Sequence, residues 1–151
     1  MRLADRTDYA LRALMVLAAT GRRHTVPALA EAFGISAHHL TKVVQTLQGE
    51  GWVTTTAGRG GGVTLAAAAA DITVGQVVRL MEPDLHLVEC LRETGDCPLA
   101  GPCRLVGALQ RARGAFLDEL DRVTLGDLVR GRKTRLLQAV PATLIINGGH
   151  G

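Results

Sequence analysis

The sequence predicts a mainly α-helical protein: a winged helix-turn-helix with a two-stranded wing, followed by a long dimerisation helix. Two helical segments near the amino terminus are separated by a tight break at Gly34. Two short β-branched segments follow, joined by the glycine-rich run 58–62. From position 103 onwards, apolar residues recur every three or four positions, as in a helix that packs against another helix.

The composition indicates a globular protein. The chain has 151 residues, of which 47% are hydrophobic and 21% are charged, and its net charge is +3. Aromatic residues make up only 3%, which argues against stacking platforms for single-stranded nucleic acid. No apolar run approaches the roughly 20 residues of a membrane span. Two aspartates and Arg12 come before the apolar run 13–19, unlike the start of a signal peptide, so we expect a cytoplasmic protein with no membrane partner.

Charge divides the chain into regions with different tasks. The net charge is +3 over residues 1–62, −4 over 63–103 and +4 over 104–151. Three segments are predicted: a winged helix-turn-helix DNA-binding domain over 1–70, a cysteine-containing loop with dimerisation helices over 71–140, and a flexible tail over 141–151.

The first helix is predicted from Asp8 to about Ala19, capped by Thr7 and ended by Gly21. One face has the apolar spacing of a buried helix, and it comprises Leu11, Leu14, Met15 and Ala18.

The second and third helices form the predicted helix-turn-helix. Pro27 suits the first turn of a short helix through Phe33 that buries Leu29, Ala30 and Phe33. Ser36 is the predicted cap of a third helix that reaches about Gly49. Its inner face is expected to comprise Leu40, Val43, Val44 and Leu47.

The wing strands are predicted over 52–56 and 63–65. Thr73 and Gln76 have the spacing of a capping box that opens a fourth helix. Thr124 is the predicted cap of a final helix through about Gln138. The long helix between them has a predicted seam of Leu105, Leu109, Ala112, Phe116 and Leu120.

The polar face of the third helix and the wing tip form a candidate DNA-reading surface. A helix of this kind fits the major groove, where its outward side chains meet base edges and phosphates. The expected contacts are Ser36, His38, His39, Thr41, Lys42, Gln45 and, from the wing, Arg59. Alternatively, this face is only solvated and the glycines only form a flexible hairpin. His24 is expected to be a surface residue, and Arg22 and Arg23 to form a solvated turn.

All three cysteines, Cys90, Cys97 and Cys103, lie in one acidic loop without helical or strand periodicity. Three crowded thiolates repel one another unless a metal neutralises them. The spacing differs from the C-x2-C pairs of structural zinc sites, and it is wide enough to surround an iron–sulfur cluster. Zinc and free buried thiols remain alternatives.

Motifs spread over most of the chain resemble a known family. They are Met1-Arg2-Leu3, Thr7-Asp8-Tyr9-Ala10-Leu11-Arg12, Gly58-Arg59-Gly60-Gly61-Gly62, Asp71-Ile72-Thr73-Val74-Gly75 and Cys90…Cys97-Pro98…Cys103-Arg104-Leu105. Together they resemble the dimeric iron–sulfur winged-helix regulators that include the nitric-oxide-sensing NsrR type and IscR. The resemblance implies a homodimer that binds palindromic operator DNA as a repressor. It also implies one cluster per subunit, with nitric oxide as the effector. Three cysteines and one further ligand suit either a [4Fe–4S] or a [2Fe–2S] cluster, and [4Fe–4S] is the favoured prediction.

The resemblance also suggests the fourth ligand of the cluster. IscR-type members have a histidine three residues beyond the last cysteine, where this chain has Val106. NsrR-type members use a carboxylate from the first helix of the partner subunit, and the matching residue here is Asp8. Arg12, one turn later, is expected to position Asp8. His86 is the nearest alternative ligand.

Other functions remain open at the level of sequence. A related regulator could sense iron, cluster status or redox state, and a zinc-containing DNA-binding regulator could sense a small molecule. A redox enzyme is disfavoured because the chain has no C-x-x-C pair, no nucleotide-binding loop and no convincing nucleophile–base set.

Overall fold

The structure is a computed structural model that describes residues 2–82, 84–85, 88, 103–131, 135, 138 and 144. It contains a winged helix followed by further helices, as the sequence predicts. The elements in chain order are α1 (Asp5–Thr20), α2 (Val26–Phe33), α3 (Ala37–Gly49), β1 (Val53–Thr56), β2 (Gly62–Leu65), α4 (Val74–Met81), α5 (Arg104–Asp121) and α6 (Leu125–Val129).

Helix α1 begins three residues earlier than predicted, and Thr7 is not its cap. The N-cap position is Ala4, whose side chain cannot accept a hydrogen bond. Thr7 lies inside the first turn, fully buried, and its Oγ1 donates to Glu82 Oε1 at 2.5 Å. The same carboxylate oxygen accepts from the backbone N–H of Ala4 at 2.7 Å. A carboxylate from the end of α4 therefore replaces the predicted local cap.

The buried face of α1 is rotated relative to the predicted one. Leu14 is fully buried as expected, but Leu11, Met15 and Ala18 are only partly buried. The fully buried positions include Ala10, Ala13, Val16 and Leu17. Helix α1 packs against α3, α4 and α6, so it is covered from several sides and needs a wider apolar surface than a single stripe.

The helix-turn-helix forms as predicted. Thr25 Oγ1 accepts from the backbone N–H of Ala28, Pro27 lies in the first turn of α2, and Gly34 ends the helix in the left-handed conformation. Leu29 and Ala30 are buried, whereas Phe33 is only partly buried against the core. All four predicted inner residues of α3 are buried, namely Leu40, Val43, Val44 and Leu47.

The wing is an antiparallel pair in which Val53 is opposite Leu65 and Thr56 is opposite Gly62. Val53 and Val63 are buried, Leu65 packs partly buried against the core, and residues 54–56 of β1 are exposed. On the outer face, the hydroxyls of Thr54 and Thr64 are 2.9 Å apart.

Two matching capping boxes join the later helices. Thr73 with Gln76 opens α4, as predicted, and Thr124 with Asp127 opens α6. The two caps pair with each other as an isolated β-bridge, so α4 and α6 start side by side. Because Thr124 donates to the Asp127 carboxylate, the pKa of Asp127 is lowered.

The final helix is shorter than predicted. Helix α6 ends at Val129, because Arg130 adopts an extended conformation and Gly131 follows with φ +65°. The predicted continuous helix to Gln138 is therefore wrong. Leu144, farther along, is buried in the core.

Helix α5 has none of its side chains fully buried, and Leu105 is 58% exposed. It is attached to α4 through an ion pair between Arg79 and Asp121, whose shortest N–O distance is 2.5 Å. This pairing lowers the pKa of Asp121. No helix within the described ranges is long and apolar enough to cross a membrane.

Candidate DNA interface and metal-binding residues

The outward face of α3 contains the predicted DNA-contacting side chains. His38, His39, Thr41, Lys42 and Gln45 are all exposed, opposite the four buried residues that hold α3 on the core. The rings of His38 and His39 are tilted, with centroids 6.1 Å apart, at the start of the helix. The spacing therefore produces a polar face that the described part of the chain leaves exposed.

Ser36 and Thr41 make different hydrogen bonds from those that their predicted roles suggest. Ser36 occupies the N-cap position of α3, but its side chain makes no capping hydrogen bond. Thr41 Oγ1 donates to the carbonyl oxygen of Ala37 at 2.7 Å, so in this state its hydroxyl proton is directed to the helix backbone. A contact from Thr41 to a base or phosphate would use the remaining lone pairs of the oxygen, its methyl group or a different rotamer.

The wing tip presents Arg59 to solvent. Arg59 is exposed and lies between Gly58 and Gly60, which have φ values of +88° and +77°. Only glycine adopts these conformations without strain, so the glycines allow the tight tip that the sequence predicts. The base of the wing is connected to the recognition helix, since Thr55 Oγ1 donates to Gln48 Oε1 at 2.8 Å.

His24 is not the surface residue that the sequence suggests. It is only 5% exposed, and its Nε2 lies 2.8 Å from Thr20 Oγ1 at the end of α1. Burial is the main cause that lowers the pKa of His24, and the charge of Arg22 lowers it further. Arg23, also placed in the predicted solvated turn, donates to the carbonyl oxygen of Gly60 at 2.9 Å. Sequence spacing carries no signal for the Arg23–Gly60 contact or for the backbone pairing of His24 with Val63, because these partners lie 37 and 39 positions away along the chain.

Asp8 and Arg12 form the ion pair that their spacing predicts. Arg12 Nε donates to Asp8 Oδ1 at 2.9 Å, and a second guanidinium nitrogen lies 2.5 Å from Asp8 Oδ2. The Asp8 side chain retains 46% of its exposure and that of Arg12 retains 49%. An exposed pair of this kind stabilises the fold little, but the two-point contact fixes the direction of the carboxylate.

Of the three cysteines, only Cys103 lies within the described residues. It is a free, partly exposed thiol at the N-cap position of α5. Cys90 and Cys97, and the alternative ligand His86, lie outside the described residues. The part of the chain that is described holds no cluster of three or more histidine, cysteine or acidic side chains suited to a metal ion.

We expect Lys42→Gln to weaken operator binding and to reduce its salt dependence. If Lys42 neutralises one phosphate, the slope of log affinity against log salt concentration should fall by about 1. Fluorescence anisotropy over a salt series measures this slope. The control is Arg122→Gln, which removes an exposed cation that pairs with Glu119 on α5. Equal slopes for Lys42→Gln and the unmodified chain would show that Lys42 makes no phosphate contact.

Comparison with known proteins agrees with this architecture. The chain is 44% identical over 135 residues to the HTH-type transcriptional regulator NsrR of Geobacillus kaustophilus, covering 87% of this chain and 92% of that protein. Its fold is similar to that of the oxidized form of Staphylococcus aureus CymR, with a TM-score of 0.71, 25% identity, and coverage of 86% of this chain and 97% of the other. T. potens IscR has the same fold, with a TM-score of 0.68 at 23% identity over 86% of this chain and 87% of that one.

The family model that matches residues 3–131 is Rrf2, described as an iron-dependent transcriptional regulator. That match covers most of the chain, and it includes the wing, the cysteine region and α5. The family consists of transcriptional regulators and not of enzymes, which agrees with the absence of a catalytic constellation from the sequence. The chain belongs to the Rrf2 family of winged-helix transcriptional regulators, and within it the chain is NsrR-like.

Proposed function

We propose that this protein is an iron–sulfur, nitric-oxide-responsive repressor that binds palindromic operator DNA as a homodimer. The observation that carries the proposal is the position of Asp8. This carboxylate is oriented and partly exposed on α1, the helix that packs directly on the recognition helix α3. The 44% identity to a regulator named NsrR supports the same class of function.

The donor set fits an iron–sulfur cluster. Three thiolates from Cys90, Cys97 and Cys103 would leave one iron position for another ligand, and Asp8 of the partner subunit would fill it. Cys103 suits this role in the described structure, because it is free and lies at the start of α5, where the helix dipole favours a thiolate. When bound, the cluster supplies an iron position with a hard oxygen ligand, which is more readily displaced than a thiolate.

The packing of α1 would connect Asp8 to the DNA-binding surface. At its amino-terminal end, Thr7 and the Ala4 backbone N–H both donate to the Glu82 carboxylate. Along its length, Leu14 and Leu17 are buried in the same core as Leu40 of α3. A tightly packed interior transmits a rigid shift instead of absorbing it. Engagement or release of Asp8 would therefore change the tilt of α3.

A small tilt is sufficient to change DNA affinity. In a dimer, the two recognition helices must reach successive major grooves roughly 34 Å apart. If one helix moves, several phosphate contacts are lost together, and each contributes to the salt-dependent affinity. The homodimer would in this way convert a change at one carboxylate into loss of repression.

The test is to purify the full chain without oxygen, measure iron and sulfide per chain, and titrate it with nitric oxide while following operator binding. We expect a brown protein with visible iron–sulfur absorbance and operator affinity that falls during the titration. A colourless protein that contains zinc would indicate the zinc-containing regulator and overturn the proposal. A brown protein whose operator binding responds only to iron supply or redox state would agree with the proposed cluster and would show that nitric oxide is not the effector.

Asp8→Ala is expected to separate cluster binding from the response. The three cysteines should still hold iron, but operator affinity should depend less on nitric oxide, because α1 is no longer linked to the site of the partner subunit. Asp5→Ala is the matched control. Asp5 is also an exposed acid in the first turn of α1, and it pairs with Arg2 instead of Arg12. If Asp8→Ala and Asp5→Ala gave the same titration curve as the unmodified chain, the link through Asp8 would be wrong.

A further inference from the structure

The segment between α1 and α2 pairs through its backbone with strand β2 of the wing. The backbone N–H of His24 donates to the carbonyl oxygen of Val63 at 3.0 Å, and the Val63 N–H donates back to His24 at 2.7 Å. Arg23 reaches the wing tip through its bond to the Gly60 carbonyl oxygen. The approach is close, because a β-carbon at Gly62 would lie 2.6 Å from the carbonyl oxygen of His24. Strand β2 is therefore held from its outer side by residues 23 and 24.

The His24 side chain connects this edge to α1. Thr20 Oγ1 donates its proton to the carbonyl oxygen of Val16 at 2.8 Å, so it can only accept from His24 Nε2. This assigns the proton of the neutral imidazole to Nε2 and leaves Nδ1 without one. The buried imidazole therefore links the last turn of α1 to β2, the strand that follows the wing tip. We call this link the joint.

We propose that His24 is a positioning residue for the wing, whose neutral, buried imidazole holds β2 and Arg59 at the angle that DNA contact requires. The proposal rests on the proposed DNA-binding function and adds to it a joint at the opposite end of α1 from Asp8. His24 itself does not need to touch DNA, since its side chain is covered by the protein.

Proton uptake by His24 should loosen this joint. The charged groups near it are Arg22 and Arg23 in its own segment, whereas the last turn of α1 and both wing strands carry no titratable side chain. A proton on Nδ1 would thus place a buried positive charge near the Arg22 guanidinium. Burial and Arg22 already lower the pKa of His24 from its ordinary value of 6.5. The wing position in which neutral His24 bonds to Thr20 is therefore favoured above that pKa value, and this preference is lost as the pH falls below it.

The experiment is amide hydrogen exchange in β2 of the full-length chain, corrected for intrinsic rates, from about pH 7.5 to about pH 5.5, a range that spans the ordinary histidine pKa. Its metal content is kept the same throughout. We expect protection of the Val63 amide to fall with pH in the unmodified chain, and to be independent of pH in His24→Gln. Glutamine can donate to Thr20 but does not titrate. His39→Gln, which removes an exposed histidine, should show the same dependence of Val63 exchange on pH as the unmodified chain in this measurement without DNA. Identical profiles for His24→Gln and the unmodified chain would overturn the proposal.

A second variant keeps the test decisive if His24→Gln does not fold. Thr20→Val removes the acceptor of the imidazole N–H and leaves the histidine in place; the other two bonds of the hydroxyl, to Val16 and from the Arg22 N–H, are local to the end of α1. We expect exchange at Val63 to be about 2- to 12-fold faster at neutral pH, as for the loss of the one hydrogen bond that links the imidazole to α1. Unchanged exchange would show that the imidazole does not hold the wing, and would overturn the proposal.

Operator binding then links the joint to function. The measurement uses a background in which His38 and His39, both predicted DNA contacts, are replaced by glutamine, so that His24 is the histidine that remains within residues 1–70. In that background we expect affinity to decrease towards acidic pH, and the added His24→Gln change to remove the decrease. A pH-independent affinity with His24 present would overturn the role in DNA contact. If the unmodified chain bound no DNA at pH 7.5, the proposed function would fail, while the exchange measurement would still test the joint.

Discussion

Cys103→Ser is expected to abolish iron retention and the response to nitric oxide while the chain stays folded. A serine hydroxyl is a poor replacement for a thiolate as an iron ligand, so one of the three predicted protein sulfurs is lost. The same substitution preserves α5, because Cys103 occupies its N-cap position and serine is among the preferred residues there. Iron and sulfide per chain, visible absorbance and thermal unfolding together measure the effect.

The expected result is a colourless protein with an unfolding temperature no lower than that of the metal-free parent chain. Cys103→Ala is the matched control for the helix, because alanine removes the sulfur and is a poor N-cap. It should be equally colourless and less stable by about 1 kcal/mol. Full retention of iron by both variants would contradict the assignment of Cys103 as a ligand. Cys90→Ser and Cys97→Ser should lose iron in the same way.

Leu40→Ala is expected to lower the free energy of unfolding by about 2–5 kcal/mol. Leu40 is fully buried on the inner face of α3, in the core shared with Leu14 and Leu17 of α1. Its truncation removes apolar contacts and leaves a cavity at the contact that we propose transmits the signal. Urea unfolding measures the change, and thermal unfolding should show a decrease of roughly 2–4 °C for each kcal/mol in a chain of this size.

Thr41→Ala is the matched control, at the next position of the same helix but on the outer face. Thr41 is exposed and its hydroxyl bonds only to its own helix, so the change in stability should stay within about 0.5 kcal/mol. An equal loss for Leu40→Ala and Thr41→Ala would mean that α3 is not held by its inner face.

Several features of this protein follow from local sequence. The spacing of apolar and polar residues over 36–49 determines both faces of α3, because side chains three or four positions apart lie on the same side of a helix. The capping boxes that begin at Thr73 and Thr124 are equally local, since the two residues of each box lie within one helical turn. The Asp8–Arg12 pair also follows from spacing. The predicted cysteine ligands and the role of nitric oxide come from residue chemistry and family resemblance, and the proposed experiments test them.

Other features depend on which distant segment covers a residue, and only the tertiary structure decided them. Thr7 has the residue type of a helix cap, yet it bonds to Glu82, 75 positions away, because α4 ends beside the start of α1. His24 has the residue type of a surface turn, yet the wing covers it and Val63 pairs with its backbone. Helical and strand periodicity describes one element at a time. Burial and long-range hydrogen bonds arise only when the elements pack, so they carry no periodic signal in the sequence.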